Sequence, residues 1–306
     1  MSVRPASPVR AISALPIVLI ALLVGACGPG AASPTPTPIA PAPSASTAPP
    51  PRPSPSTGAA VPLIKITSEG GFIAGSANLA VPPMVAVYSD GRIFTPSPVP
   101  AIYPGPLVVP FSVRDVGRVG AAEIAQAIRT AGLDKPATAG PGVPGDTGTI
   151  VFTVVLDGQT TTSHYANLGA PGPQPGGSDD PGRATASDLL NRLLDSMTPW
   201  GGTVGTQSAY QPAGYRIFVV AGGPQADPTV SQSPVQWPLS TALADFGTPA
   251  VPDRGIAGLR TGVVLGADAS ALGPILGRAS ALTPWVSGGS SYTLYVRALL
   301  PDESGG

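Results

Sequence analysis

The chain has 306 residues, of which only 11% are charged, with 16 basic residues against 17 acidic ones and a formal net charge of −1. A balance of that kind leaves no basic footprint for nucleic acid and no polybasic patch for anionic lipid. One histidine and one cysteine cannot supply the three or four side chains of a zinc site, and no metal or other cofactor is expected.

Residues 1 to 26 read as a secretory signal. Arg4 and Arg10 form a short basic region, Ala11 to Ala26 (AISALPIVLIALLVGA) is almost wholly apolar, and the run ends in the small residues Gly25 and Ala26. The run is too short for a spanning helix of about 20 apolar residues, contains Pro16, and is followed at once by GPGAASPTPTP. Val24-Gly25-Ala26-Cys27 resembles the lipobox of bacterial lipoproteins. That resemblance implies cleavage before Cys27 and lipidation of its sulfur; anchoring is durable once two or more acyl chains are attached. The alternative is a buried or chance cysteine. Loss of the signal removes Arg4 and Arg10 and no acid, so that 14 of the 16 basic residues then face 17 acidic ones, a formal charge of −3.

Residues 27 to 61 form a Pro-rich tether. Pro29 to Pro55 (PGAASPTPTPIAPAPSASTAPPPRPSP) offers almost nothing to bury and fixes φ repeatedly, which predicts a disordered spacer. At about 3.1 Å per residue, roughly thirty such residues reach ~90 Å. The remainder is long enough for one large domain or two, read here as an α+β region over 62–200 and a second over 201–303.

In the first region two stretches share a plan. MVAVYSDGRIF (Met84 to Phe94) and IVFTVVLDGQTTTSHY (Ile150 to Tyr165) each set apolar runs around Asp-Gly, at Asp90-Gly91 and Asp157-Gly158, a pair that favours a tight hairpin turn. Each leads into a helical pattern. Ala121, Ile124, Ile128 and Ala131 recur at three- and four-residue steps with Gly132 as the stop. Thr185 and Asp188 read as a cap before Leu189, Leu190, Leu193, Leu194 and Met197 on one face. The Asp-Gly turns are 67 residues apart and Ile124 is 66 from Leu190, so repeated hairpin-plus-helix units are expected.

The second region carries its own echo: SMTPW (Ser196 to Trp200) recurs as ALTPW (Ala281 to Trp285), each before a strand pattern, YRIFVVAG from Tyr215 and YTLYVRALL from Tyr292. Proline stops the preceding helix, and the tryptophan covers its end against the sheet; lining a ligand pocket is the other role open to it. LRTGVVLGAD (Leu259 to Asp268) and LGPILGRAS (Leu272 to Ser280) add a strand and a broken helix. The sum is an α+β fold, antiparallel sheet with helices packed on one face.

Catalytic chemistry is mostly excluded. The single histidine, His164, lies in the return arm of the second hairpin, on the face opposite Ser163 and Tyr165; no G-x-S-x-G occurs, and neither Lys65 nor Lys135 has a serine three residues before it. GPGVPG (Gly140 to Gly145) matches a dinucleotide fingerprint only as a string, because it precedes a strand. Asp179 and Asp180 sit on a glycine-rich stretch without the alternation of a calcium loop. A glycosidase-style pair of carboxylates is set by space, not by spacing, and Glu69 and Asp90 are its first suspects. No catalytic residue is assigned.

One stretch offers a binding surface. TPSPVPAIYPGPLVVPFS (Thr95 to Ser112) is a long apolar loop, with Tyr103 and Phe111 as candidate contacts to a peptide or glycan. The preferred alternative has it fold back over the sheet and bury Tyr103, since large exposed apolar patches are rare.

Four stretches, EGGF (Glu69 to Phe72), VYSDGRIF, IYPGP (Ile102 to Pro106) and RALLPDE (Arg297 to Glu303), resemble a group of uncharacterised secreted proteins and lipoproteins of high-GC bacteria. The resemblance spans most of 64 to 303, implies an extracytoplasmic location and brings no activity. The functional expectation is a lipoprotein anchored to the membrane through Cys27, non-catalytic, binding an envelope protein or a glycan. The alternative is a carboxylate-based hydrolase acting on cell-wall or extracellular material.

Overall fold

The computed structural model describes residues 61–70, 76, 78–136, 148–168, 181–225, 227, 229–250 and 255–303. The signal and Cys27, nearly all of the tether, Gly140 to Gly145, and Asp179 and Asp180 lie outside the described residues.

The first sheet has seven strands in the order β6-β5-β1-β2-β3-β4-β7, all antiparallel neighbours. They are β1 (Pro62–Glu69), β2 (Val85–Tyr88), β3 (Arg92–Pro96), β4 (Phe111–Asp115), β5 (Thr149–Leu156), β6 (Gln159–Ala166) and β7 (Thr206–Ala209). Both Asp-Gly pairs take hairpin turns, between β2 and β3 and between β5 and β6. The second is a two-residue turn with positive φ at Asp157 (52°) and Gly158 (76°). In the first, Gly91 has φ 97° and a Cβ there would stand 2.2 Å from the Gly117 carbonyl oxygen, so both conformation and space require glycine.

Two helices cover one face of this sheet. Helix α1 (Gly117–Thr130) buries Ala121, Ile124 and Ile128, the expected stripe. It ends as expected at Gly132, φ 71°, whose N–H donates to Arg129 O while Leu133 N–H donates to Ile128 O, the double bond of a Schellman stop. Helix α2 (Pro181–Leu194) starts earlier than the cap read at Thr185, whose hydroxyl instead donates to Gly182 O inside the helix. Leu189, Leu190 and Leu193 are buried, but Leu194 is 40% exposed and Met197, beyond the helix end, 70% exposed, so the apolar face is shorter than the periodicity suggests. The two hairpins also lead to different elements: β5–β6 runs to α2 with no described strand between them, whereas β2–β3 passes through β4 before α1.

The second sheet, six strands in the order β10-β11-β8-β13-β12-β9, contains β8 (Gly214–Ala221), β9 (Val235–Gln236), β10 (Thr248–Pro249), β11 (Arg260–Leu265), β12 (Trp285–Ser287) and β13 (Ser290–Ala298). Only β9 and β12 run parallel. Helix α3 (Gly266–Leu276), with Pro274 inside it, packs Ala269, Leu272 and Leu276 into this core. The fold is therefore α+β and mostly antiparallel, in two sheets; β7 completes the first sheet from beyond residue 200, across the boundary read from sequence.

Strand β2 explains how the layers stack. All four of its residues are buried: Val85 and Val87 face α1 and α2, while Ala86 and Tyr88 join Phe94, Phe111, Ala298 and Leu300 on the other side. The far face of the first sheet thus packs against the end of β13, and Ser54–Gly306 is one compact unit.

Candidate functional site

Between α1 and α2 lies a cleft of about 270 Å³, just under the range of about 300–1,000 Å³ usual for ligand sites. The helices run antiparallel. The start of α2 reaches the end of α1 through the Thr185 hydroxyl and Ala131 O, 3.4 Å, and the chain beyond α2 returns to the start of α1, where Gly201 N–H donates to Glu123 Oε2 at 2.5 Å. Glycines permit that return, since a Cβ on Gly201 would stand 2.5 Å from Gly120 N. Glu123 and Gln126 of α1 face Asp188 and Arg192 of α2, and Trp200 forms the floor. The Arg192 guanidinium sits 4.3 Å from the centre of the Trp200 ring, a cation–π stack, with Glu123 Oε1 at 4.0 Å. Trp200 is fully buried and its indole N–H has no hydrogen-bond partner. It is thus a core residue that lies beneath the cleft, with Arg192 between its ring and the opening. Its echo Trp285 is equally buried in the second core, so the two Thr-Pro-Trp stretches supply one tryptophan to each core.

On the opposite face of the first sheet, charges gather where VYSDGRIF and RALLPDE meet. Tyr88 of VYSDGRIF donates to Asp302 Oδ1 at 2.5 Å, and Lys65 Nζ lies 2.7 Å from Asp302 Oδ2. Arg297 and Glu303, both of RALLPDE, pair through two hydrogen bonds of 2.6 and 2.8 Å, and Leu300 N–H donates to Glu303. Burial pushes the Tyr88 hydroxyl far up and, with Asp302 beside it, keeps it neutral; burial likewise raises Tyr210, to about 12. Glu303 goes the other way. Burial opposes its charge, but hydrogen bonds from Arg297 and Leu300 and the charge of Lys65 outweigh it and hold the carboxyl below its usual range. A carboxylate so held is neither a general acid nor a base near neutrality. It ties the 3-10 turn, Pro301–Glu303, to Arg297 of β13 and Lys65 of β1, while the neighbouring Asp302 ties it to Tyr88 of β2.

A lowered folded-state pKa gives stability that is complete above the unfolded value, near 4.5, and is lost as pH falls through the folded value. Glu303→Gln should therefore cost about 1–3 kcal/mol at neutral pH, the worth of charge-assisted hydrogen bonds. The gap from wild type should close below pH 4; urea unfolding across pH 3 to 7 would show it, and a constant gap would contradict the assignment.

The other residues singled out by sequence are scattered. Phe111 is 2% exposed and belongs to the core between the sheets, so it cannot be a contact surface; a large aromatic opening β4 was worth more inside. Tyr103 is 68% exposed and Ile102 63%, which overturns the expectation that the loop buries Tyr103. Only its later half covers: Leu107 enters the second core, its N–H donates to Ala279 O, and Ala281 N–H donates to Gly105 O. The Tyr103 hydroxyl donates to Asp227, which raises the tyrosine and, after the Thr229 bonds, lowers the acid. Glu69 and Asp90 stand at opposite ends of β1, since Ser89 N–H bonds Val61 O. That is about 23 Å along the strand, too far for a catalytic pair. Asp90 is held instead by Arg92 at 2.7 Å. His164 is exposed, with Ser163 and Tyr165 buried on the other face, as the alternation required.

Sequence reasoning missed Glu123, Arg192 and Arg114. Charges on helix faces look alike in sequence whether they line a cleft or meet solvent, and nothing marks Arg114 as buried. Among the described residues no three of His, Cys, Asp and Glu gather as a metal site would need. In comparisons with known proteins, no family model, curated protein or solved structure matches the chain.

Proposed function

We propose that the protein is an extracytoplasmic lipoprotein, anchored to the membrane through lipid on Cys27 and carrying a folded, non-catalytic module that binds a glycan or protein of the cell envelope. The signal layout and the Val24-Gly25-Ala26-Cys27 stretch support the anchor. Among the described residues no helix is long and apolar enough to cross a membrane. The cleft between α1 and α2 carries the binding reading: Glu123, Gln126, Asp188 and Arg192 stand around a largely apolar hollow beneath which Trp200 is buried under Arg192, and such a lining suits a small group with both polar and apolar surfaces, a sugar or a side chain. Against the hydrolase, Glu123 in that cleft is spent on Gly201 N–H and Arg192, and the Glu69–Asp90 pair does not form.

The anchor is tested by Cys27→Ala, which should move the protein out of the membrane fraction or leave it unprocessed; membrane fractionation and mature mass equal to wild type would reject the lipobox. The module is tested by Ala127→Trp, which fills the cleft: the variant should no longer co-sediment with isolated cell-wall material while unfolding at the wild-type temperature. Co-sedimentation equal to wild type would reject the cleft as the binding place.

We propose a modified form of the expected repeat. The order β6-β5-β1 followed by β2-β3-β4 is symmetric about the β1/β2 pair, and each half contributes one helix to the same face. We read β5, β6 and α2 as the counterpart of β3, β4 and α1. The 97–110 loop then occupies the place of the Asp157-Gly158 turn, and the Asp90-Gly91 turn joins one half's hairpin to the central pair.

A further inference from the structure

We propose that strand β6 is a pairing edge through which two copies of this chain join their first sheets antiparallel about a two-fold axis at Thr162. Among the described residues strand β6 ends the seven-strand order with no strand beyond it, a border of eight residues against four in β7. The two-residue turn fixes which groups face outward. Leu156 and Gln159 close the hairpin, so residues 159, 161, 163 and 165 exchange hydrogen bonds with β5, and the N–H and C=O groups of Thr160, Thr162 and His164 point away from it. Their side chains are exposed as well.

Free edges are normally guarded by charge, proline, a bulge or shortness. Here Gln159–Ala166 (QTTTSHYA) has no charged residue and no proline, and pairs without interruption along its whole length. The occupant that fits is the strand itself. An uncharged edge meets no like charge when it faces its own copy, and an isologous contact needs only one self-complementary surface. The register is selected too. Ala166 is the next outward residue, but its carbonyl already accepts from Arg183 Nη2 at 2.5 Å, which disfavours any pairing that uses it. What remains opposes Thr162 to its counterpart and Thr160 to the counterpart of His164, three pairs that each exchange two backbone hydrogen bonds, flanked by hydroxyl-to-hydroxyl contacts. Three pairs make a small interface, so the dimer is weak and concentration-dependent.

The test uses the Ser54–Gly306 unit, which holds both sheets and no cysteine. Sedimentation velocity from micromolar to millimolar protein should show the mass rising toward twice the monomer. Thr162→Pro removes an outward N–H without touching the β5 ladder and should remain monomeric with an unchanged melting temperature. If that variant folds poorly, Thr162→Lys places two ammonium groups on the axis and should dimerise only at high salt. Thr162→Cys should cross-link through a short bismaleimide at least tenfold faster than Thr160→Cys, whose thiols lie four residues apart along the strands, about 13 Å. A wild-type unit that stays monomeric at every concentration would overturn the proposal and leave the edge to an extended peptide of another chain. Equal cross-linking at 160 and 162 would overturn it as well.

Discussion

Trp200→Ala should lower the stability of the folded unit by about 3–5 kcal/mol, the range for truncating a fully buried large aromatic. The ring is fully buried, lies in the core beneath α1 and α2, and carries the Arg192 guanidinium on its face. Truncation would open the cleft floor into the core and release Arg192. The indole N–H has no partner, so Trp200→Phe, which deletes that donor and keeps a ring, should cost much less than the alanine change. Urea unfolding with far-UV circular dichroism reads both. A loss under 1 kcal/mol for the alanine variant would mean that the cleft collapses freely and that Trp200 is not its structural floor.

Arg114→Ala should cost about 1.5–3 kcal/mol, since it removes a buried charged donor from three part-buried carbonyl bonds. Arg114 is 5% exposed on β4, and its Nη1 donates to Thr198 O at 2.8 Å, Ser196 O at 3.0 Å and Val204 O at 3.4 Å. Those carbonyls belong to the chain leaving α2, so one guanidinium pins the segment that carries Trp200. Burial lowers the Arg114 pKa, with the Asp195 carboxylate opposing that shift, yet the group stays charged at any ordinary pH. Arg114→Lys should recover only part of the loss, because all three bonds come from Nη1 and the shorter lysine stem holds its ammonium back from those carbonyls. If both variants unfold with the wild-type midpoint in urea, the carbonyls are satisfied by water and the pinning role fails.

These two residues show where sequence reading stopped. Trp200 drew notice because Thr-Pro-Trp occurs twice, and its burial followed from residue type. Arg114 gave no such sign: its three acceptors are 82 to 90 residues away along the chain. The same holds for β1. The alternation of Ile64 and Ile66 with Lys65 and Thr67 went unread as a strand, and nothing local tells that it would pair with both β2 and β5 at the centre of the sheet. Tyr103 and Phe111 failed as a pair because one apolar loop was treated as one surface, whereas its first half stands in solvent and its second half is tied to Ala279 and Ala281.

By itself the sequence determined what depends on neighbours a few residues apart: the hairpin turns at Asp90-Gly91 and Asp157-Gly158, the buried stripe of α1 and the Leu189, Leu190 and Leu193 part of that of α2, the Gly132 stop and the outward side of His164. Each is set by local sterics and by the periods of helix and strand. Only the tertiary structure decided that there are two sheets, that β7 closes the first of them, that Tyr88 meets Asp302 across 214 residues, and that a cleft opens over Trp200. Those outcomes rest on which distant surfaces bury the most apolar area while leaving the fewest polar groups unpaired, a condition on the whole chain that no short stretch contains.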